Sequence, residues 1–163
     1  SYTKRFSWLC HIFLGLGLSL APIGAFLAVT GEFHLLPLLY SVAVISWVSG
    51  FDILYALQDI EFDQQEKLKS IPAIFGVSKA MFISNTLHFI TAICIIACSS
   101  ILIRQFHLSY LLMTGTLSFL LLLFYQHWIV KDGNLERINL AFFTTNGIAS
   151  VILALCTVAD IYF

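Results

Sequence analysis

Five of the nine acidic residues, Asp52, Asp59, Glu61, Asp63 and Glu66, crowd into fifteen positions of a 163-residue chain. If that stretch is helical, the seven steps from Asp52 to Asp59 turn the chain by about 700°, and the four to Asp63 bring the total to about 1100°. The three carboxylates then lie within about 20° of one line, with Tyr55 one turn along beside them. Such a stripe without a countercharge repels itself and favours protonation. A hard divalent cation relieves the repulsion, and Mg²⁺ takes a few carboxylates together with water and phosphate oxygens. Asp52, Asp59 and Asp63 are therefore candidate metal ligands, whereas Glu61 and Glu66 read as a solvated helix end.

Asp52 is the most demanding of the three. It follows the run Ser41 to Phe51 and precedes Ile53 to Leu57, which keeps it inside a membrane boundary. A carboxylate at that depth costs a few kcal/mol unless it faces a protein cavity or a cation. Just beyond the stripe come Lys67, Lys69, Ser70, Pro72 and Gly76. Ammonium groups beside a carboxylate-held Mg²⁺ suit a diphosphate, whose charge is met by metal and ammonium together. Lys67 reads equally well as a residue that sets topology. Lys4 and Arg5 enter at the same side, as further members of the pocket or, on spacing alone, as headgroup anchors.

The elements that position these groups follow from composition. The chain is 60% hydrophobic and only 10% charged, against about a quarter charged in a soluble domain. With a net charge of -1 and no basic tract it offers nothing to a nucleic acid, and 15% aromatic content excludes disorder. Windows of about 20 residues, the length that crosses a hydrocarbon core, give five spans. They are Phe6 to Val29, Leu36 to Leu57, Ala80 to Ile103, Leu108 to Trp128 and Leu140 to Phe163. Unsatisfied amides are too costly in lipid for open strands, and the runs lack the alternation of a barrel, so the fold class is all-α, a polytopic transmembrane bundle. No repeat or internal boundary divides residues 1–163.

Seven of the eight basic residues, Lys4, Arg5, Lys67, Lys69, Lys79, Lys131 and Arg137, fall on one side of these spans, and Arg104 on the other. The positive-inside rule makes that side cytoplasmic, with the N-terminus and residues 58–79 there and Phe163 outside. The compartment expected is a bacterial inner membrane. Cys10, Cys94, Cys98 and Cys156 lie in apolar runs and read as small core residues. The chain opens on Ser1, so it is expected to be a piece of something longer.

The run from Asp52 through Tyr55, Ala56 and Asp59 to Asp63, continuing to Lys69, Ser70, Pro72 and Gly76, resembles the second aspartate-rich motif of the UbiA superfamily of intramembrane aromatic prenyltransferases. Tyr2, Lys4 and Arg5 look like that family's Tyr-x-x-Lys-Arg signature, and Thr145, Asn146 and Gly147 like part of its last helix. The resemblance implies a bundle of about nine helices, of which this chain supplies the C-terminal five, resembling helices five to nine. The N-terminal helices, with a first motif of the form NDxxDxxxD, are absent from these residues, and the isolated chain is expected to be inactive as a fragment.

The implied activity is Mg²⁺-dependent transfer of a polyprenyl group from its diphosphate to an aromatic acid, 4-hydroxybenzoate or a related menaquinone precursor, in quinone biosynthesis. Asp52, Asp59 and Asp63 would hold metal, Lys69 would meet the leaving diphosphate, and Lys4, Arg5, Tyr55, Ser70 and Asn146 would touch substrates. Asp52 is also suited to orienting or deprotonating a phenol, and Arg5 to gripping a carboxylate bidentately.

Other readings compete. A transporter or channel would carry ions on Asp52 and Asp59, but it calls for acids near the bilayer midplane rather than at one edge. A non-catalytic membrane fragment is suggested only by the short length. His88 and His127 read as neutral rings bonded to neighbouring helices, and His11, His34 and His107 lack the spacing of a zinc site. Asn146 serves equally as glue between helices or as a cavity-facing contact. Gly15, Gly17 and Pro22, and the series Ser41, Ser46, Ser49 and Gly50, read as close-packing or kinking positions.

Overall fold

The computed structural model describes residues 2–107, 110–130 and 144–162. A short 3₁₀ helix, Tyr2–Arg5, precedes α1 (Cys10–Thr30) and α2 (Leu35–Tyr55). A 3₁₀ turn, Ala56–Asp59, leads into α3 (Ile60–Gln65), and α4 (Ile71–Phe106), α5 (Tyr110–Val130) and α6 (Asn146–Tyr162) complete the order. Every described element is helical, as the expense of open backbone in lipid requires. Four stretches are long and apolar enough to cross a membrane: Cys10–Thr30, Leu35–Gln65, Ile71–Phe106 and Tyr110–Val130. The expected fifth span overlaps α6, which at 17 described residues is an apolar helix shorter than those four. Residues 140–143 of that span lie outside the described residues, as do Lys131, Arg137 and Phe163.

The first span begins later than expected. Phe6 to Leu9 are not in α1; the Leu9 N–H goes to Ser7 Oγ at 3.2 Å, a local bond that competes with helix. The third begins earlier, because Gly76 (φ 80°) breaks α4 without ending it and lets a short helical piece from Ile71 join the long apolar run.

The chain forms two compact units, one up to Thr91 and one from Ala92, the boundary falling inside α4. In the first, α1 and α2 form an antiparallel hairpin closed at Gly31, whose left-handed backbone (φ 73°) lets its N–H reach the Leu27 carbonyl. His34 starts α2 by accepting the Leu36 N–H on Nδ1. The helices touch at Gly15, where a Cβ would stand 2.5 Å from Ser49 Oγ and 2.6 Å from the Ile45 carbonyl oxygen. Gly17, expected to do the same, faces open space. α2 and α4 are joined by the Ser84 hydroxyl on the Gly50 carbonyl (2.8 Å), by His88 on the Trp47 carbonyl (3.2 Å) and by Thr91 on Ala43 (3.5 Å). His88 thus bonds a neighbouring helix as expected, and Gly50 leaves room for its ring.

In the second unit α5 and α6 are antiparallel. Gly115 packs against Cys156, the Leu112 N–H donates to Asp160, and the Gln126 amide donates to Asn146 Oδ1. Ser99 and Thr116 share a 2.7 Å bond between α4 and α5. Phe13, Leu18, Leu20, Phe89, Phe124 and Leu155 lie on outward faces. In water such surface is a liability; against acyl chains it is the solvent-matched side.

Candidate active site

α2 does not run unbroken through the acidic residues. It stops at Tyr55, and the four residues Ala56–Asp59 wind as 3₁₀ helix before α3 begins. Three residues per turn instead of 3.6 adds about 20° at each of these steps, so the common face computed for one continuous α-helix is lost. Asp52 therefore points elsewhere than Asp59 and Asp63. This corrects the expected three-carboxylate stripe. Among the described residues no three His, Cys, Asp or Glu side chains gather as a metal-holding group.

Asp59 and Asp63 stay one turn apart and share a cation. Lys4 Nζ stands 3.1 Å from Asp63 Oδ2, 3.4 Å from its Oδ1 and 3.9 Å from Asp59 Oδ2. The Asp63 side chain is 1% exposed and that of Asp59 46%, so one carboxylate is sunk beneath the ammonium while the other faces outward. Lys4 thus belongs to the acidic cluster rather than to a headgroup anchor.

The segment after α3 is shaped by its cap. The Lys67 N–H reaches the Gln64 carbonyl and the Leu68 N–H the Asp63 carbonyl, with Lys67 in the left-handed region (φ 54°). These paired bonds form a Schellman closure, here with Lys where Gly is usual. The closure turns the chain back onto the N-terminal segment. The Lys69 N–H donates to the Lys4 carbonyl at 2.6 Å, and Lys69 Nζ to the Phe6 carbonyl at 3.4 Å. Lys69 is thereby brought alongside Lys4.

Ser70 is fully buried and caps α4, its Oγ accepting the Ala73 N–H while its carbonyl takes the Ile74 N–H. A capping job accounts for it without a substrate. Arg5 lies over the Tyr2 ring at 5.9 Å and, with Tyr2, Phe62, Glu66, Lys67 and Leu68, lines an open cleft of about 700 Å³. Lys67 thus joins Arg5, not Lys69. Tyr55 closes α2, half-buried beside the 3₁₀ turn. Asn146, in the second unit, is the buried first residue of α6 and serves as glue to Gln126 of α5.

Asp52 is paired with a residue that sequence spacing did not single out. His11 Nδ1 lies 2.6 Å from Asp52 Oδ2, and the ring is fully buried while Asp52 keeps 24% of its side-chain surface. The signal was there to use: a carboxylate in a span needs a partner, and a histidine in the neighbouring span is itself expensive to leave unpaired.

The donor set fits a hard cation. Two carboxylates one turn apart, already addressing one positive charge, match the way Mg²⁺ is held by one or two carboxylates plus water and phosphate oxygens.

Comparison with known proteins places the chain as a whole. The model of the UbiA prenyltransferase family matches residues 1–148. A 4-hydroxybenzoate octaprenyltransferase from Tolumonas auensis is 27% identical over 154 residues, 94% of this chain and 52% of the relative. One from Alcanivorax borkumensis is 36% identical over 83 residues, 51% of this chain and 29% of the relative. The apo structure of a UbiA homolog from Aeropyrum pernix superposes with a TM-score of 0.82 at 28% identity, over 98% of this chain and 58% of that one. The chain spans about half the length of the curated relatives that match nearly all of it. Since the family model matches residues 1–148, well over half of the chain, this integral membrane chain belongs to the UbiA prenyltransferase family.

Proposed function

We propose that the complete gene product transfers a polyprenyl group from its diphosphate to an aromatic acid, 4-hydroxybenzoate or a related menaquinone precursor, in quinone biosynthesis. The observation that carries this reading is the Lys4 ammonium set between Asp59 and Asp63, with Lys69 folded beside it. Two relatives named as 4-hydroxybenzoate octaprenyltransferases support the choice of acceptor.

Asp59 and Asp63 would hold Mg²⁺, whose chemistry there is to neutralise the diphosphate as the allylic C–O bond breaks and the electron pair leaves with oxygen. Lys4 and Lys69 donate to the same phosphate oxygens from fixed backbone positions. Arg5, planar and exposed in its cleft, grips the carboxylate of the acid with two parallel bonds. Asp52 takes or orients the phenolic proton, which raises the electron density of the ring carbon that forms the new C–C bond; that carbon then gives up its own proton as the ring regains aromaticity, and the phenolic oxygen is reprotonated.

The test is steady-state kinetics on the complete gene product with each substrate varied in turn. Lys69→Ala is expected to raise the KM for the prenyl diphosphate, and Arg5→Ala that for the aromatic acid. Each loss corresponds to one charge-assisted contact, roughly ten- to hundredfold in apparent affinity. If Arg5→Ala raised only the donor's KM, Arg5 would belong with the diphosphate and the acid would have to be sought elsewhere.

The same reading puts the Lys4–Lys69 cluster on the cytoplasmic side of a bacterial inner membrane. A reporter inserted after Lys67 is expected to report cytoplasm, and one fused after Phe163 the opposite side. Matching signals from both would contradict five crossings.

A further inference from the structure

None of the roles above uses His11, yet it is a fully buried ionisable side chain that touches two parts of the site at once. On one edge its Nδ1 is 2.6 Å from Asp52 Oδ2; on the other its Nε2 receives the Ile71 N–H at 3.4 Å. Paired in this way, the neutral ring has one consistent tautomer. A backbone N–H only donates, so Nε2 presents its lone pair, and the ring proton sits on Nδ1, from which it is given to the carboxylate.

The Ile71 amide is one of the unpaired donors that every helix start must place. Ser70 Oγ takes the one at Ala73, and His11 takes the one at Ile71. The backbone that carries the ring is itself held: the Ser49 hydroxyl donates to the His11 carbonyl at 3.1 Å, and the adjacent Cys10 Sγ lies 3.9 Å from the Lys69 carbonyl. One side chain of α1 therefore spans α2, which carries Asp52, and the Lys69–Ile71 turn, which carries the ammonium.

We propose that His11 is a positioning residue, locking the Asp52 carboxylate and the Lys69–Ile71 turn into one register so that the acceptor-side and diphosphate-side groups are aligned together. The inference rests on the aromatic prenyl transfer proposed above. It requires both a donor and an acceptor at position 11. A Gln side chain carries both in one planar amide, whereas Leu, of similar bulk, carries neither.

The experiment compares His11→Gln and His11→Leu in the complete gene product, purified in detergent. One arm measures kcat and both KM values; the other follows hydrogen–deuterium exchange of the peptide covering residues 67–73 without substrate. His11→Leu is expected to lower kcat about ten- to hundredfold, with each KM changed less than about threefold, and to speed amide exchange at Ile71 about tenfold or more. His11→Gln is expected to keep kcat within about threefold of the parent and to retain the protection. A Gln variant that folds but is as impaired as Leu would overturn the proposal, because only ring shape would then matter. So would a Leu variant with unchanged kcat or unchanged exchange. If His11→Leu cannot be recovered folded, the Gln variant still decides. If the parent protein transfers no prenyl group at all, the functional reading fails, while the exchange arm still shows whether His11 holds the turn.

Discussion

Asp63→Asn in the complete gene product is expected to remove prenyl transfer, by about a thousandfold or more, and Asp59→Asn to do the same. Glu61→Gln, on the exposed side of the same short helix, is expected to stay within about twofold. Asn keeps the shape of Asp and an acceptor for Lys4, so the α3 segment should stay folded. What disappears is the negative charge that would hold a divalent cation, and a thousandfold loss of such transition-state charge stabilisation corresponds to about 4 kcal/mol. The measurement is initial rate at saturating Mg²⁺ and substrates, beside a size-exclusion profile showing intact protein. Full activity in the Asp63 variant, or equal loss with Glu61→Gln, would remove these carboxylates from the proposed metal site.

The second large effect concerns stability. Lys4→Met leaves the Asp63 carboxylate, 1% exposed, without its 3.1 Å partner. Removing one member of a buried ion pair costs about 3 to 5 kcal/mol, because the other charge stays desolvated. A marked fall in the thermal midpoint in detergent is expected for Lys4→Met. Adding Asp63→Leu should restore most of it, since two apolar residues of similar volume replace the pair. The double variant should be stable and inactive. If Lys4→Met alone were as stable as the parent, water or another cation would have to reach Asp63.

Much of this was legible from residue types. The spans follow from apolar length, and the contact of α1 with α2 from Gly15 facing a series of small residues that includes Ser49. Asp59 and Asp63 keep their relation because α3 begins directly after Asp59 and the four steps between them wind as α-helix. Asp52 does not, because the 3₁₀ turn at Ala56–Asp59 intervenes and no Gly or Pro in that stretch announces it. Turn-type winding is a tertiary compromise there, between a helix fixed in the bundle and a carboxylate drawn to Lys4.

His11 was hidden for a different reason. Spacing rules describe neighbours on one helix, and its partner is across a hairpin. The register was nonetheless available. His11 lies twenty residues before Gly31 and Asp52 twenty-one after it, so a tight turn at Gly31 brings the two level. The pairing of Lys67 with Arg5 in one cleft had no such marker, since it depends on a left-handed residue of a type that seldom adopts that conformation.

The 2.6 Å bond between the Lys69 N–H and the Lys4 carbonyl has a bearing on how the site can change over generations. Both atoms are main chain, so apart from proline at position 69, substitutions at positions 4 and 69 leave the bond's donor and acceptor in place. Drift at these two positions can therefore alter the charge presented to a substrate while the two segments stay docked. Placement is inherited through the backbone, and selectivity is left free to evolve one side chain at a time.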